Sequence, residues 1–420
     1  MLKKITSHVK LDFFLVKLLM KRYFSPTFGS ALIVGGTAIG AGMLGLPMAT
    51  GSLGFWIASL AFFGSFLYML LSLFFLLEAT LMCSKEEGDL ISMVKERLGS
   101  GGGIVAWFSF LLLLYAVAAA YLSGGGSLLA TWLGHLFSIE IAPAAGLFLF
   151  LVCFGCIVVF ETRSLDFFNR ICMLGLFISF AILIGFGVPH VKKDHLAEGS
   201  LRDLPLALPI IALSFTSHII VPSLRSYLRN NVSKLKRALF WGSLIPLAFY
   251  LVWEWLVIGM LPLEGKQGLL ALKSSPYPVA ELTAALTQKT GTHLIGILVG
   301  AFSFFAIVTS FFGVALSLYN FLADGLRIKK TKTGKLGLLV LMFTPPTLFA
   351  LFFPTGFLLA LGYAGVFVAI LYGLLPALMV WKGRYRDQKK TPFRVFGGKV
   401  TLIVLFLGSL AIIAFQLLHR

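Results

Sequence analysis

GGTAIGAGMLGLP, residues 35–47, lies inside the first strongly apolar segment of the chain. Five glycines and a proline in this stretch disfavour a continuous helix, because glycine loosens the backbone and proline removes a hydrogen-bond donor. The surrounding segment, from about residue 29 to about residue 54, is nevertheless apolar enough to cross a bilayer. Backbone is unwound at membrane depth only where protein buries it or where it lines a cavity. An interrupted membrane helix is therefore a candidate binding site, and the function that it favours is solute transport.

A second interruption is predicted in the apolar segment at about residues 203–224. Polar residues cluster at its centre, from Ser214 to His218, and Pro222 follows them. This segment is the sixth predicted span, so it crosses the membrane in the direction opposite to that of the first. Two five-span units of opposite orientation form an inverted repeat, and interrupted segments in corresponding positions of the two units are typical of a transporter site.

The composition is that of an all-α, polytopic membrane protein. Of the 420 residues, 58% are hydrophobic and 12% are charged, which is about half the charged fraction of a typical soluble domain. Apolar stretches of about twenty residues recur along the whole chain and predict membrane-spanning helices. We predict eleven spans, at about residues 29–52, 55–82, 103–130, 143–160, 170–189, 203–224, 238–260, 293–319, 337–353, 355–381 and 399–418.

The basic residues predict how these spans are oriented. With the N-terminus in the cytoplasm, 28 of the 35 Lys and Arg residues fall in cytoplasmic segments. This bias follows the positive-inside rule, and it places the C-terminus outside. The net charge of +18 is thus explained by short loops at a membrane surface, which argues against nucleic-acid binding. Membrane lipids and a small solute are the expected partners.

The two interruptions suit a zwitterionic or anionic solute. Unwinding exposes backbone N–H groups, and the N-termini of half-helices carry partial positive charge, so a carboxylate can be held without arginine. Freed carbonyl oxygens and the hydroxyls of Thr37, Thr216 and Ser217 can meet an ammonium group. The alternative is that the glycines only allow close helix packing, since Gly36 and Gly40 have small-xxx-small spacing.

Motifs that would indicate an enzyme are weak. Gly40, Gly42 and Gly45 match the dinucleotide fingerprint GxGxxG, but no predicted strand precedes them. Cys153 and Cys156 have CxxC spacing within an apolar run, where packing is the simpler interpretation. We therefore expect no enzymatic activity, no catalytic residues, no cofactor and no metal site.

Three stretches resemble the bacterial aromatic amino acid permeases, the tyrosine- and tryptophan-specific carriers of the amino acid–polyamine–cation superfamily. They are GGTAIGAGMLGLP (35–47), FTSHIIVPSLRSY (215–227) and SLYNFLADGL (317–326). The resemblance implies a LeuT-type 5+5 inverted repeat plus an eleventh helix. It also implies proton-coupled import of tyrosine or tryptophan across the bacterial cytoplasmic (inner) membrane. The segments would be a cytoplasmic N-terminal segment (1–28), a first five-helix repeat (29–190), a second (203–381) and the additional helix (399–418).

The same resemblance implies which residues surround the α-amino and α-carboxyl groups of the substrate. They are Thr37, Ile39, Gly40, Ala41, Gly42, Ser214, Phe215, Thr216, Ser217 and His218. The chain departs from the family where Ile219 and Ile220 follow the histidine directly, since the family commonly has a small glycine-containing stretch there. We expect the pocket shape to differ accordingly. Phe215, Tyr115, Tyr121 and Phe305 are candidates for the pocket that holds the aromatic side chain.

Glu254 is the first candidate for proton coupling, because an acid deep in a membrane span is costly and usually functional. The alternative is a neutral carboxyl that is hydrogen-bonded between helices. His218 is the second candidate, against the alternative of an interior histidine with a structural role. Glu78 is predicted to be interfacial, and Asp324 is a candidate for a gate or an ion pair.

Other transport modes remain open on these residues. A sodium-coupled carrier or an exchanger of another neutral amino acid is an alternative, because freed carbonyl oxygens near residues 36–39 can coordinate a cation. A channel is less favoured, since the chain shows no ring of pore-lining charge.

Overall fold

The computed structural model describes residues 25–40, 42–83, 89–155, 157–158, 162–291, 293–329 and 331–418. Two features predicted above fall wholly or largely outside these ranges: Ala41 and most of the N-terminal segment 1–28. Every regular element within the described residues is helical.

The helices are numbered here in chain order. They are α1 Pro26–Ala38, α2 Gly42–Thr50, α3 Gly54–Met82, α4 Leu90–Phe137, α5 Pro143–Phe150, α6 Thr162–Gly187, α7 Lys193–Ala197, α8 Leu204–Ser214, α9 Val221–Tyr227, α10 Val232–Met260, α11 Leu269–Ser274, α12 Pro278–Thr290, α13 His293–Gly325, α14 Lys332–Phe352, α15 Gly356–Val368, α16 Leu375–Trp381 and α17 Gly398–Leu418.

Short polar residues begin several of these helices. Ser25, Asp89, Asn231 and Thr331 each precede a helix, and each side chain accepts a hydrogen bond from a backbone N–H of the first turn. Such caps satisfy donors that have no partner inside the helix. All four capping residues lie between the predicted spans or before the first of them.

Nine helical stretches of the described residues are long and apolar enough to cross a membrane. The first predicted span is divided, because α1 is short and α2 runs into α3 within the stretch Gly42–Met82. The fourth predicted span is the shorter stretch Pro143–Gly155. Each remaining predicted span has a long helical stretch, so the prediction of an all-α polytopic membrane protein is confirmed.

Both predicted interruptions are present. Helix α1 ends at Ala38, and Ile39 takes an extended conformation with φ −73° and ψ 108°. Helix α8 ends at Ser214, and a short 3-10 turn over His218–Ile220 leads into α9. The glycine-rich and polar compositions thus end the helices at the two places where the sequence predicted it.

Buried charges hold one end of the helix bundle together. Glu78, predicted to be interfacial, lies near the end of α3, and its side chain is fully buried within the protein in an ion pair with Arg384, with Nε 2.6 Å from Oε1. The Val395 N–H also donates to the same carboxylate, at 2.8 Å. This burial was not predicted, because it arises where the chain after α16 folds back over the end of α3. We call this end of the bundle the inner end, following the predicted orientation.

At the opposite, outer end, the predicted long loop over residues 261–292 is partly helical. It contains α11 and α12, and Gly291, which follows the last residue of α12, has a positive φ of 63°. Gly51, at the end of α2, packs so closely on Leu269 that a Cβ on this glycine would lie 2.8 Å from the Leu269 Cβ. The loop therefore covers the first interrupted helix from outside.

Candidate substrate site at the two interrupted helices

Tyr250 of α10 joins the two interruptions. Its hydroxyl lies 2.8 Å from the carbonyl oxygen of Ala38 and 2.7 Å from that of Ser214. These two residues end α1 and α8. Their carbonyl oxygens are therefore among those that have no hydrogen-bond donor within the helix. Tyr250 is fully buried. The first and sixth predicted spans therefore face each other where each comes apart.

The glycines of the first interruption are in close contact with neighbouring helices. A Cβ on Gly42 would lie 2.7 Å from the Ser214 hydroxyl oxygen. A Cβ on Gly40 would lie 2.7 Å from the Ser310 hydroxyl oxygen and 3.5 Å from that of Tyr121. Only glycine fits here without displacing its neighbours. The interruptions thus meet side chains from α4 and α13 at one point.

The predicted hydroxyls are partly used within their own helices. Thr37 is exposed, and its hydroxyl donates to the carbonyl of Ile33 at 2.7 Å. The Ser214 and Thr216 hydroxyls likewise donate to carbonyls four residues earlier. Each oxygen keeps lone pairs that can accept from an ammonium group. Ile39 and Ser217 are buried beside the interruptions.

His218 lies in a structural network at the second interruption. Its Nε2 is 3.0 Å from the Ser72 hydroxyl oxygen of α3, and its ring stacks on Tyr372 with 4.7 Å between centroids. The Ser72 hydroxyl in turn donates to the Tyr372 carbonyl. The imidazole is 1% exposed. These contacts favour the structural alternative for His218.

Glu254 lies one helical turn from Tyr250 on α10. Its carboxylate is fully buried, and one oxygen accepts from the Thr50 hydroxyl at the end of α2. The other oxygen, Oε2, has no hydrogen-bond partner within the part of the chain that is described. Trp253, the residue before Glu254 on α10, donates from Nε1 to the Met43 carbonyl at 3.0 Å. Helix α10 therefore holds both halves of the first interrupted helix.

The aromatic candidates separate into two groups. Phe215 is buried and packs edge-to-face on Tyr250, with 5.3 Å between centroids, and Tyr121 is beside Gly40. The Tyr115 hydroxyl instead donates to the Leu341 carbonyl of α14. Phe305 packs on Gly175 of α6. Phe215 and Tyr121 are thus the pair that the structure brings to the interruptions.

Three hydroxyl groups at the interruptions were not predicted from the sequence, those of Ser310, Thr50 and Tyr250. Residues 250, 253 and 254 follow the three- and four-residue spacing of one helix face. That spacing is a signal, because it places a tyrosine, an indole and a carboxyl side by side in an otherwise apolar helix. Ser310 had no comparable signal.

The two ends of the site differ. At the outer end, the Asp203 carboxylate accepts from the Ser52 hydroxyl at 2.8 Å and from Lys273 at 2.7 Å. The Ser200 N–H also donates to the Ser52 carbonyl, at 2.9 Å. This contact set ties together the end of α2, the start of α8 and the outer loop. At the inner end, a cavity of about 1030 Å³ lies between α4, α9 and α13.

The sequence profile of the tryptophan/tyrosine permease family matches residues 25–416. The chain belongs to this family. It is therefore a multi-pass membrane transporter by family and by the helices that it contains.

Relatives of this permease carry several substrate names. It is 35% identical to "Tyrosine-specific transport system 2" of Haemophilus influenzae, over 92% of this chain and 95% of the relative. It is 32% identical to a "Tryptophan-specific transport protein" of Pseudomonas aeruginosa, over 91% and 92%. It is also 30% identical to "Glutamine transporter 2" of Aliivibrio fischeri, over 92% and 98%. Relatives with different substrate names thus match the chain over more than nine tenths of its length.

Proposed function

We propose that this permease imports an aromatic amino acid, tyrosine or tryptophan, across the bacterial inner membrane by proton-coupled alternating access. The observation that carries the proposal is the meeting of two interrupted helices at Tyr250, in a chain of the tryptophan/tyrosine permease family. The N-terminus lies in the cytoplasm and the C-terminus outside, as the basic residues predict.

The substrate binds through its α-amino and α-carboxyl groups at the interruptions. Backbone N–H groups near Gly40 and Gly42 hold the carboxylate, since half-helix N-termini favour negative charge. The hydroxyl oxygens of Ser214, Thr216 and Ser310 accept from the ammonium. Phe215 and Tyr121 contact the aromatic ring. This arrangement needs no charged side chain within the pocket.

The helix pairings support an inverted repeat. Helix α13 (His293–Gly325) packs along α6 (Thr162–Gly187), and α15 (Gly356–Val368) packs along α4 (Leu90–Phe137). Helices α13 and α6 are the eighth and fifth predicted spans, and α4 and α15 are the third and tenth. Spans that correspond in the two repeats differ by five in number, so the pair 8–5 corresponds to the pair 3–10. The same shift relates the pairing of α1 with α10 to that of α8 with α3. The repeats are then residues 29–190 and 203–381, with residues 399–418 as the additional helix.

The contacts next to the interruptions support alternating access. At the outer end Asp203, Ser52 and Lys273 connect these segments, and on their inner side lies the cavity of about 1030 Å³. A second cavity, of about 800 Å³, lies at the outer end between the last turns of α4 and α12. Import requires the converse state, in which the outer contacts separate and the inner cavity closes. The segments that separate are those next to the interruptions, so binding and opening involve the same backbone.

Glu254 carries the proton in this scheme. An ionised carboxylate without a cationic partner is costly to bury, and no ion pair of Glu254 is present among the described side chains. The carboxyl takes up a proton when the outer end opens and releases it when water reaches it from inside. Through Thr50 it contacts α2, the half-helix that moves with the outer end.

A neutral amino acid such as glutamine is a second candidate substrate. The observation that favours it is the 30% identity to the relative named "Glutamine transporter 2". Sodium coupling is the alternative to proton coupling, since backbone oxygens alone can bind a cation.

Uptake into proteoliposomes tests the proposal. Purified protein is given labelled tyrosine, tryptophan, phenylalanine and glutamine, with proton and sodium gradients imposed separately. We expect accumulation of tyrosine or tryptophan that requires the proton gradient, and counterflow of the same amino acid without it. Accumulation of glutamine alone, or dependence on sodium alone, would contradict the proposal. Flux without counterflow would indicate a channel.

A further inference from the structure

The inner cavity has the size and lining of a ligand site. Its volume of about 1030 Å³ is at the upper end of the range of about 300–1,000 Å³ in which small-molecule sites fall. It is bounded by the first turns of α4, by α9 and by the last turns of α13. Tyr372, which stacks on His218, is also part of its wall.

Two of the three motifs that carry the family resemblance present one helix face each to this cavity. Residues 219, 222, 223, 226 and 227 line it from one side, and residues 317, 320, 321, 324 and 325 from the other. Both sets follow the three- and four-residue spacing of a single helical face. The proposed substrate site uses only residues 215–218 of these motifs. The residues at these ten positions therefore share one location, and the substrate contacts proposed at the interruptions do not involve them.

One wall of the cavity is aromatic. Phe321 of α13 lies 5.2 Å from Trp107 and 5.1 Å from Phe110 of α4, measured between ring centroids. The two α4 residues are one helical turn apart, so Phe321 packs on both. Aromatic rings in such tilted and edge-on arrangements offer a surface on which another planar ring packs favourably.

Charges of both signs border this aromatic wall. Asp324 lies one turn beyond Phe321 on α13, and Lys95 lies on the first part of α4. Both side chains are exposed, and neither forms an ion pair within the described residues. Asp89 is different, because its carboxylate caps α4 by accepting from the Ser92 N–H at 2.7 Å. The cavity lining therefore carries two carboxylates and one ammonium group, and of the two carboxylates Asp324 is the one that does not cap a helix.

We propose that this cavity is a second binding site for an aromatic amino acid in its zwitterionic form. The ring packs on Trp107, Phe110 and Phe321, the ammonium group faces Asp324, and the carboxylate faces Lys95. The choice of an aromatic amino acid rests on the proposed function. Because the cavity opens at the inner end, the site fills from the cytoplasm. A bound amino acid hinders closure of the inner end, so import slows as its cytoplasmic concentration rises.

Binding stoichiometry tests this second site. Equilibrium dialysis of the purified full-length protein against labelled tyrosine and tryptophan measures the number of molecules bound per chain. We expect about two for the wild-type protein and about one for Asp324→Asn, for Lys95→Gln and for Trp107→Ala. Trp107→Phe, which keeps an aromatic ring, should restore the second molecule. Asp194→Asn and Lys289→Gln make the same charge changes outside the cavity and should bind two.

The outcomes separate this proposal from the proposed function. A wild-type stoichiometry of one overturns the second site, as does an Asp324→Asn protein that still binds two or that binds none. If the wild-type protein neither binds nor transports any aromatic amino acid, the proposed function fails, and the second site fails with it.

Discussion

The ammonium nitrogen of Lys273 lies 2.7 Å from Oδ2 of Asp203 and links the outer loop to the start of α8. The same carboxylate oxygen accepts from Ser52 at the end of α2. Both charged side chains are about one quarter exposed, at 26% and 24%. A pair of this kind contributes about 0.2–1 kcal/mol. Such a small contribution suits a contact that must break and re-form in every transport cycle.

Removing this ion pair should favour opening of the outer end. Ala207 is fully buried on α8. The variant Ala207→Cys, made in a protein without its native cysteines, reports whether this position is accessible from outside. Lys273→Gln should increase its labelling by a membrane-impermeant thiol reagent by up to about fivefold, the rate equivalent of about 1 kcal/mol. The charge-reversed pair Asp203→Lys with Lys273→Asp should restore slow labelling. Unchanged labelling in Lys273→Gln would show that the pair does not hold the outer end.

Loss of the Tyr250 hydroxyl should weaken substrate binding. Tyr250→Phe leaves the Ala38 and Ser214 carbonyls without this donor, and a buried polar group without a partner costs about 1–3 kcal/mol. Because this cost falls on the binding-competent state, the Kd for tyrosine should rise by about 5- to 160-fold. Isothermal titration calorimetry measures it. Tyr277→Phe, in the outer loop and outside both proposed sites, is the matched control and should bind as the wild type does.

The contact between Gly42 and Ser214 should not tolerate an added methyl group. A Cβ at Gly42 lies 2.7 Å from the Ser214 hydroxyl oxygen, so Gly42→Ala should reduce uptake at least tenfold by separating the interruptions. Because the clash is with one atom, Gly42→Ala with Ser214→Ala should recover part of the activity. Gly64→Ala, where an added Cβ meets no atom within 4 Å, should leave uptake unchanged. Wild-type uptake in the Gly42→Ala variant would contradict the proposed geometry.

Replacing Glu254 by glutamine should separate coupling from binding. Glu254→Gln keeps the size of the side chain and a carbonyl oxygen that can accept from Thr50, but it cannot exchange a proton. We expect proton-driven accumulation to be lost and counterflow of tyrosine to be retained. Glu281→Gln, on the exposed surface of α12, is the control. If Glu254→Gln still accumulates substrate along a proton gradient, another group carries the proton.

The buried pair of Glu78 and Arg384 should be important for stability. Glu78→Gln leaves the Arg384 guanidinium buried with no carboxylate, and breaking such a pair costs about 3–5 kcal/mol. Thermal unfolding in detergent should show a clear decrease in Tm for Glu78→Gln. The exposed control Glu264→Gln should unfold as the wild type does. An unchanged Tm for Glu78→Gln would mean that the pair is unimportant for folding.

The positions of the interruptions could be predicted because their cause is local. Glycines near the end of α1 and a cluster of polar residues at the end of α8 act on the backbone around them, so both ends could be predicted without knowledge of neighbouring helices. The number and order of the apolar spans follow from the same kind of local information. The position of Glu78 did not, since it depends on a chain segment more than three hundred residues away that folds over it.

The amino-acid sequence by itself determined a polytopic helical membrane protein with two interrupted spans and the family to which it belongs. The tertiary structure decided which side chains meet at the interruptions: Tyr250 and Ser310 reach them, whereas Tyr115 and Phe305 pack elsewhere. The physical reason is that apolar spans carry little information about their rotation and crossing angles. With 41 phenylalanines in the chain, no single ring identifies a pocket until the helices are packed together.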